Sequence, residues 1–371
     1  MCEPIRILHM IGSLEIGGSQ AMIMNLYENI DRNQIQFDFI VDHPERLYFA
    51  EQIKRLGGRI YFMPTFKGKN IFEIKKKWNK FFIDHPEYKI IHSHVRSYAS
   101  LYLPIAKKNG LITIIHSHST SNGKGVLALI KKFLQYPLRY QADYFFGCSK
   151  EAGEWLFGKK VVNSKRYFML QNAIDIRKYN MSEHVRRQYR EILGIENSTK
   201  VFIHVGRLHE AKNHLFLLEV FAEYLKAEKN SLLLIVGDGD LKKTIEEKMQ
   251  SLNINNNVML LGARSDVANL LQVADCFLFP SKWEGLPVTV VEAQAAGLPC
   301  LISDTVTNEV NVSELVKRLP IDYGVDPWVE AMEKTNFIKI DVSKDIKKAG
   351  FDIHSSANWL SSFYMELIED E

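Results

Sequence analysis

A chain of 371 residues is too long for one ordinary core, and with 46% hydrophobic residues it suits two domains of similar size. No apolar run is long enough to span a bilayer, and the start MCEPIRILHMIG has neither the basic segment nor the cleavage site of a signal peptide, so a cytoplasmic protein is expected. The net charge is only +3, yet residues 1–170 carry 25 Lys and Arg against 14 Asp and Glu, while residues 171–371 carry 22 against 30. The acidic second half and the lack of a nucleic-acid-binding motif argue against a nucleic-acid partner.

In chain order, the first half alternates short apolar segments with helix-length amphipathic ones. IRILHMI, FDFIV, RIYFM, KIIHS, LITIIHS, DYFFGC and RYFML read as buried strands, with helices such as Gln20 to Ile30 and Ser97 to Lys108 between them. Gly17 and Gly18 follow the first strand and precede its helix, where paired glycines let a backbone approach a phosphate; a plain loop is the alternative. Two stretches, 67–80 (KGKNIFEIKKKWNK) and 124–139 (KGVLALIKKFLQYPLR), mix lysines with Trp, Phe, Leu and Tyr. Such mixtures suit an anionic membrane surface, or else the solvated face of an amphipathic helix.

Two HSH pairs, His92 with His94 and His116 with His118, end predicted parallel strands, which is where open α/β sheets hold ligands. Zinc is one reading, but no acidic or cysteine partner lies nearby, so core or surface histidines with local hydrogen bonds are expected rather than a metal. The cysteines (Cys2, Cys148, Cys276, Cys300) show no paired spacing and read as reduced thiols. QNAIDIRKYN, from Gln171 to Asn180, breaks the pattern and is the expected linker. Domains are therefore expected at 1–170 and 171–350, with 351–371 a final helix.

The pattern restarts with KVFIHVG, SLLLIVG, NVMLLG, CFLFPS and PCLIS as strands, so the fold class is α/β with two doubly wound parallel sheets. In VGRLHEAKN, Arg207 and Lys212 bracket a predicted helix start; two cations there oppose the helix dipole unless an anion such as a diphosphate sits between them. Asp238-Gly239-Asp240 follows a strand, and Asp240 can cap the next helix, so this acid pair is not expected to bind a required metal. The last stretch, FPSKWEGLPVTVVEAQAAGLP, puts Glu284 in a loop, Gly285 at a flexible step, Leu286 and Pro287 at a helix entry, and Val288 and Thr289 at the helix start. Exposed first-turn amides make an anion site, and Glu284 is suited to accept hydrogen bonds from neutral hydroxyls. Glu292 lies among Val290, Val291, Ala293, Ala295 and Ala296, where a carboxylate without a partner is costly.

EGLPVTVVE after FPS, followed by AQAAGLP, resembles the motif of two glutamates separated by seven residues in retaining GT-B glycosyltransferases of the family 4, group 1 type. The later segment SDTVTNEVNVSEL is similar to the branch found with exopolysaccharide and capsule synthesis. The resemblance implies two Rossmann-like domains facing a cleft, with the final helix packing back across their junction, and transfer of a hexose or N-acetylhexosamine from a nucleoside diphosphate sugar, with UDP favoured. It implies a glycan or lipid-linked oligosaccharide acceptor, no cofactor, no metal, and a place at the inner face of the cell membrane.

By the same resemblance, His116 would touch the sugar, with His94 and His118 as second choices. Arg207 and Lys212 would clamp the diphosphate with Gly17 and Gly18 opposite, Glu284 would hold sugar hydroxyls and Glu292 the ribose. Arg264, in LGARSD, would lie at the base, and Asn172 and Asp175 match a turn that shapes the hinge. Three rivals remain: a catalytically silent partner subunit, an epimerase or phosphorylase on the same fold, and a nicotinamide-dependent oxidoreductase. The last is disfavoured because GSLEIGG lacks the GxGxxG spacing.

Overall fold

The structure, a computed structural model, describes residues 3–15, 17–119 and 126–369. Cys2 and the first two residues of the second basic stretch, 124 and 125, lie outside the described residues. The chain forms two units, Met1–Ala173 together with Asp352–Glu371, and Ile174–Phe351.

The first unit is built on a seven-stranded sheet of order β3-β2-β1-β4-β5-β6-β7. Its strands are β1 (Ile5–Gly12), β2 (Ile35–Val41), β3 (Ile60–Phe62), β4 (Ile90–Ser93), β5 (Ile112–Ser117), β6 (Tyr144–Gly147) and β7 (Tyr167–Met169). Every pairing is parallel. A parallel sheet needs cover on both faces, which is why its strands read as continuous apolar runs.

Alternation along β1 feeds two cores. Ile7 joins Phe37, Ile90, Ile114 and Phe146 on one face, beneath the helices Gly18–Asn29 and Ile353–Glu369. Leu8 joins Ile91, Ile115 and Phe145 on the other, against Trp78, Phe81 and Tyr102. The C-terminal helix is fixed to the sheet by Tyr364, whose hydroxyl lies 2.6 Å from His92 Nδ1.

The second unit carries a six-stranded sheet of order β10-β9-β8-β11-β12-β13. Its strands are β8 (Lys200–Val205), β9 (Ser231–Val236), β10 (Val258–Gly262), β11 (Cys276–Phe279), β12 (Cys300–Ser303) and β13 (Val316–Leu319). These pairings are also parallel. Val201, Ile203, Phe277 and Phe279 face the helix Val288–Ala295, while Phe202, Leu233 and Leu278 face Leu217, Phe221 and Trp328. Each fully buried aromatic or aliphatic side chain of this kind contributes about 2–3 kcal/mol. The boundary closes within this unit, where the Ile174 amide donates to the Phe351 carbonyl at 2.9 Å.

All twelve strands expected from the sequence are present. β13 was not expected. It is an edge strand whose Lys317 and Arg318 interrupt the apolar pattern.

Strand order fixes where ligands can bind. In the first sheet the order turns at β1 and β4, and in the second at β8 and β11. The loops leaving these pairs diverge to opposite sides and leave a crevice at the carboxyl edge.

Candidate functional site

In the second unit the crevice is floored by loops that pack backbone on backbone. Gly237 has φ +142°, and a Cβ there would fall 2.0 Å from the Gly206 carbonyl oxygen. A Cβ on Gly239, at φ +158°, would fall 2.5 Å from the Leu208 oxygen. The loops are stitched by Leu208 N–H to the Asp238 carbonyl at 3.0 Å and Leu241 N–H to the Leu208 carbonyl at 3.1 Å. The acid pair of the DGD sequence is thus part of a structural clasp around the Arg207 loop.

Lys212 closes a short 3-10 turn, Glu210–Lys212, just before the helix His214–Tyr224. Its stem lies on Gly206, where a Cβ would meet Lys212 Cε at 2.9 Å. Its ammonium sits 4.5 Å from the centre of the Phe279 ring, the last residue of β11. The ammonium also lies 2.8 Å from Glu284 Oε1, with both side chains largely buried. The contact is too poorly aligned to make Glu284 Oε1 a hydrogen-bonded atom. Ionic attraction depends on distance far more than on angle, so the pair is electrostatically real. The anion beside Lys212 is therefore Glu284, contributed by the loop after β11.

His204 and His214, which the sequence reading passed over, lie under this pair with ring centroids 4.8 Å apart. His204 Nδ1 meets the Leu278 carbonyl at 2.8 Å. Burial pushes His204 well below the usual imidazole value, and burial followed by repulsion from Lys212 pushes His214 down to about 4. Both rings are neutral at pH 7, so the charge at this edge is carried by Lys212 and Glu284.

Pro287 precedes the helix Val288–Ala295, and its carbonyl accepts from Val290 N–H at 3.0 Å. The first-turn amides of Val288 and Thr289 have no intrahelical partner to reach, as at any helix start. Thr289 Oγ1 and Ser281 Oγ are buried without a hydrogen-bond partner among the described residues. Glu292, one turn into the helix, accepts from the Tyr179 hydroxyl at 2.8 Å. Burial raises its carboxyl above the ordinary value, and the Tyr179 bond opposes that shift. Tyr179 carried no signal in the sequence because it lies far from Glu292 along the chain.

Two of the expected site residues pair with nearby acids. Arg207 points to solvent with a side-chain exposure of 70%, 3.7 Å from Asp240, whereas Lys212 is largely buried against Glu284. Arg264 grips Asp266 through two bonds of 2.8 and 2.6 Å beside the edge strand β10, two strands from the crevice. Asp175 caps its own turn and pairs with Arg177 at 2.9 Å, a structural role. Asn172 faces the first unit's helix start, 4.0 Å from the position of a Gly18 Cβ.

In the first unit, Gly17 is the extended residue before the helix Gly18–Asn29, which has no side-chain cap. Across the β1/β4 crevice lie the histidines. Residues two apart on a strand share a face, and β1, β4 and β5 bring His9, His92, His94, His116 and His118 into one stack. His9 Nδ1 meets His94 Nε2 at 3.0 Å, and His94 Nδ1 meets His118 Nε2 at 2.8 Å. The His116 and His118 rings stack at 4.0 Å. Burial, reinforced by neighbouring imidazoles, holds His92, His94 and His116 well below the usual value. Burial, then Arg96, pushes His118 down to about 3. His9 joined the group only through strand order and could not be foreseen from the HSH pairs.

This architecture is shared with known proteins. HepE of Anabaena, solved in complex with UDP, has a TM-score of 0.77 at 16% identity over 98% of this chain and 100% of its own. WaaG, a glycosyltransferase involved in lipopolysaccharide biosynthesis, gives 0.64 at 15% over 96% and 95%. The fold is GT-B, with its two Rossmann-like units. Residues 16–178 match Glycosyltransferase Family 4, and residues 185–335 match Glycosyl transferases group 1. EpsF of Bacillus subtilis (strain 168), a glycosyltransferase by name, is 30% identical over 97% of this chain and 96% of its own. The UDP-Gal:alpha-D-GlcNAc-diphosphoundecaprenol alpha-1,3-galactosyltransferase of Escherichia coli is 26% identical over 98% and 97%. The chain belongs to the group 1, family 4 glycosyltransferases, and it is a transferase enzyme.

Proposed function

We propose that the protein transfers a hexose or N-acetylhexosamine from a nucleoside diphosphate sugar, with retention at the anomeric carbon, to a hydroxyl of a glycan or lipid-linked oligosaccharide. The observation that carries the donor site is the Lys212–Glu284 pair at the β8/β11 switch point, 2.8 Å apart and largely buried. A diphosphate arriving there meets the ammonium of Lys212 and the start of the Val288–Ala295 helix, with the exposed Arg207 able to fold over it. Together they stabilise the negative charge that develops on the leaving diphosphate. No metal or cofactor is needed for this step.

Once a phosphate oxygen takes over Lys212, Glu284 is released to accept from sugar hydroxyls, and Glu292 accepts from the ribose. Gly17 and Gly18 present a second uncapped helix start, and His116 orients the sugar, with His118 beside it; these roles follow the family resemblance. Uridine diphosphate is the favoured donor nucleotide, in keeping with the name of the Escherichia coli relative. That name also gives a lipid-diphosphate acceptor, and CapH of Staphylococcus aureus is named for capsular polysaccharide biosynthesis. Surface polysaccharide synthesis is the setting these names support.

A lipid-linked acceptor calls for contact with a membrane. Among the described residues no helix is long and apolar enough to cross one. On the first unit, however, Phe133 is 84% and Phe72 89% exposed, next to exposed Lys131 and Lys132, and to Lys75, Lys76 and Lys77. We assign these helices to peripheral docking on the anionic inner face of the cell membrane.

The reading is tested by turnover of UDP-, GDP- and ADP-sugars in excess chelator, with the anomeric configuration of the product read by NMR. One donor should be consumed without metal and its configuration kept, and Glu284→Ala and Arg207→Ala should each abolish turnover. An inverted product or a strict metal requirement would contradict it.

A further inference from the structure

The histidine stack of the first unit does more than the transfer reading asks of it. That reading uses His116 and His118, yet five imidazoles converge. Among them, His94, His116 and His118 each offer a ring nitrogen within 4.8 Å of the others. We propose that these three histidines form a binding site for a single transition-metal dication of the Zn2+, Co2+ or Ni2+ class, separate from the chemistry of sugar transfer.

Three observations carry it. The first is spacing. Tetrahedral ligation at about 2.0–2.1 Å separates ligand nitrogens by about 3.3 Å. That value falls between the 2.8 Å of the His94–His118 contact and the 4.8 Å that bounds the group. Small turns of two rings would therefore close the set.

The second is an unmet need. His116 is fully buried, and neither of its ring nitrogens has a hydrogen-bond partner among the described residues. The Leu170 backbone favours its charged form, but burial and the neighbouring imidazoles outweigh it. A buried imidazole left in this state is destabilising, and an ion is one of the few things that relieve it. The third is access: His94 and His118 remain partly open to solvent, so an ion can reach the group.

An all-imidazole set without thiolate or carboxylate favours borderline ions over Mg2+ or Ca2+. Because His116 is also assigned to the sugar, a bound dication would inhibit transfer; that corollary alone rests on the transfer reading.

The test uses the full chain, stripped with chelator and titrated with CoCl2, and reads the visible absorption of four-coordinate Co2+. One ion per chain is expected, displaced by Zn2+ and unaffected by Mg2+. His94→Asn and His118→Asn should each weaken Co2+ at least about tenfold, while His43→Asn, a surface residue, should change nothing. Far-UV circular dichroism shows whether each variant folds, and the partly exposed His118 carries the test if His94→Asn does not. Absence of four-coordinate absorption in the wild type, or affinity unchanged in His118→Asn, would overturn the proposal. None of these readings involves a sugar nucleotide, so the outcome is independent of whether transfer is observed.

Discussion

The Lys212–Glu284 pair makes a quantitative claim. At 2.8 Å and an effective dielectric of about 20, two unit charges attract by about 6 kcal/mol before any desolvation is counted. Both side chains are largely buried, at 16% and 13% exposure, so desolvation returns several kcal/mol of that. A net coupling of about 2 kcal/mol remains. Lys212→Met keeps the stem on Gly206 and Phe279 but removes the charge, and Glu284→Gln removes the partner charge at constant shape. Each alone should cost about 2–3 kcal/mol, because it leaves the other charge buried without a partner, and the double variant should cost about 2 kcal/mol less than their sum.

Hydrogen exchange read by mass spectrometry on peptides from 200–215 and 276–295 reports this for the second unit alone. Two kcal/mol corresponds to roughly a 30-fold change in protection. Single-variant losses that add to within about 0.5 kcal/mol would show that the pair does no electrostatic work, and the case for a waiting diphosphate site would fall with it.

Glu292 supplies a pH signature. Burial raises its carboxyl above the ordinary value, so the folded protein holds that proton more tightly than the unfolded chain. Its contribution to stability is present below the unfolded value and is lost as pH rises through the native one. Glu292→Gln should therefore gain stability relative to wild type as pH rises from about 4.5, seen as a Tm difference that grows and then levels; a pH-independent difference would refute it. Gly237→Ala should cost about 3 kcal/mol, since its Cβ meets the Gly206 carbonyl, whereas Gly262→Ala, at φ +68° with open space around it, should cost only about 1 kcal/mol in thermal melts. Phe133→Asp should weaken co-sedimentation with phosphatidylglycerol vesicles at least about tenfold, from the lost burial of one aromatic ring; equal binding to neutral and anionic vesicles would remove the docking assignment.

Much of this is legible in the sequence, for definite reasons. Parallel strands covered on both faces leave continuous apolar runs, so twelve strands announced themselves. β13 did not, because an edge strand tolerates Lys317 and Arg318. The buried position of Glu292 showed in its apolar flanks, but its partner Tyr179 is 113 residues away. The need for an anion beside Lys212 followed from the helix start, but not that Glu284 would meet it. The outward course of Arg207 depends on side-chain torsions that no local pattern encodes. The HSH pairs marked a ligand edge, while His9 entered only when β1 was placed beside β4.

The central claim is that the carboxyl edge at β8 and β11 holds the donor diphosphate without metal. Calorimetric binding of UDP, GDP and ADP in excess chelator addresses it directly, on wild type, Arg207→Ala, Lys212→Met and the surface control Arg187→Ala. The account predicts that one nucleotide binds, UDP first, that Arg207→Ala and Lys212→Met each weaken it at least about tenfold, and that Arg187→Ala leaves it unchanged. Binding that appears only with Mg2+, or that ignores both substitutions, would contradict the account.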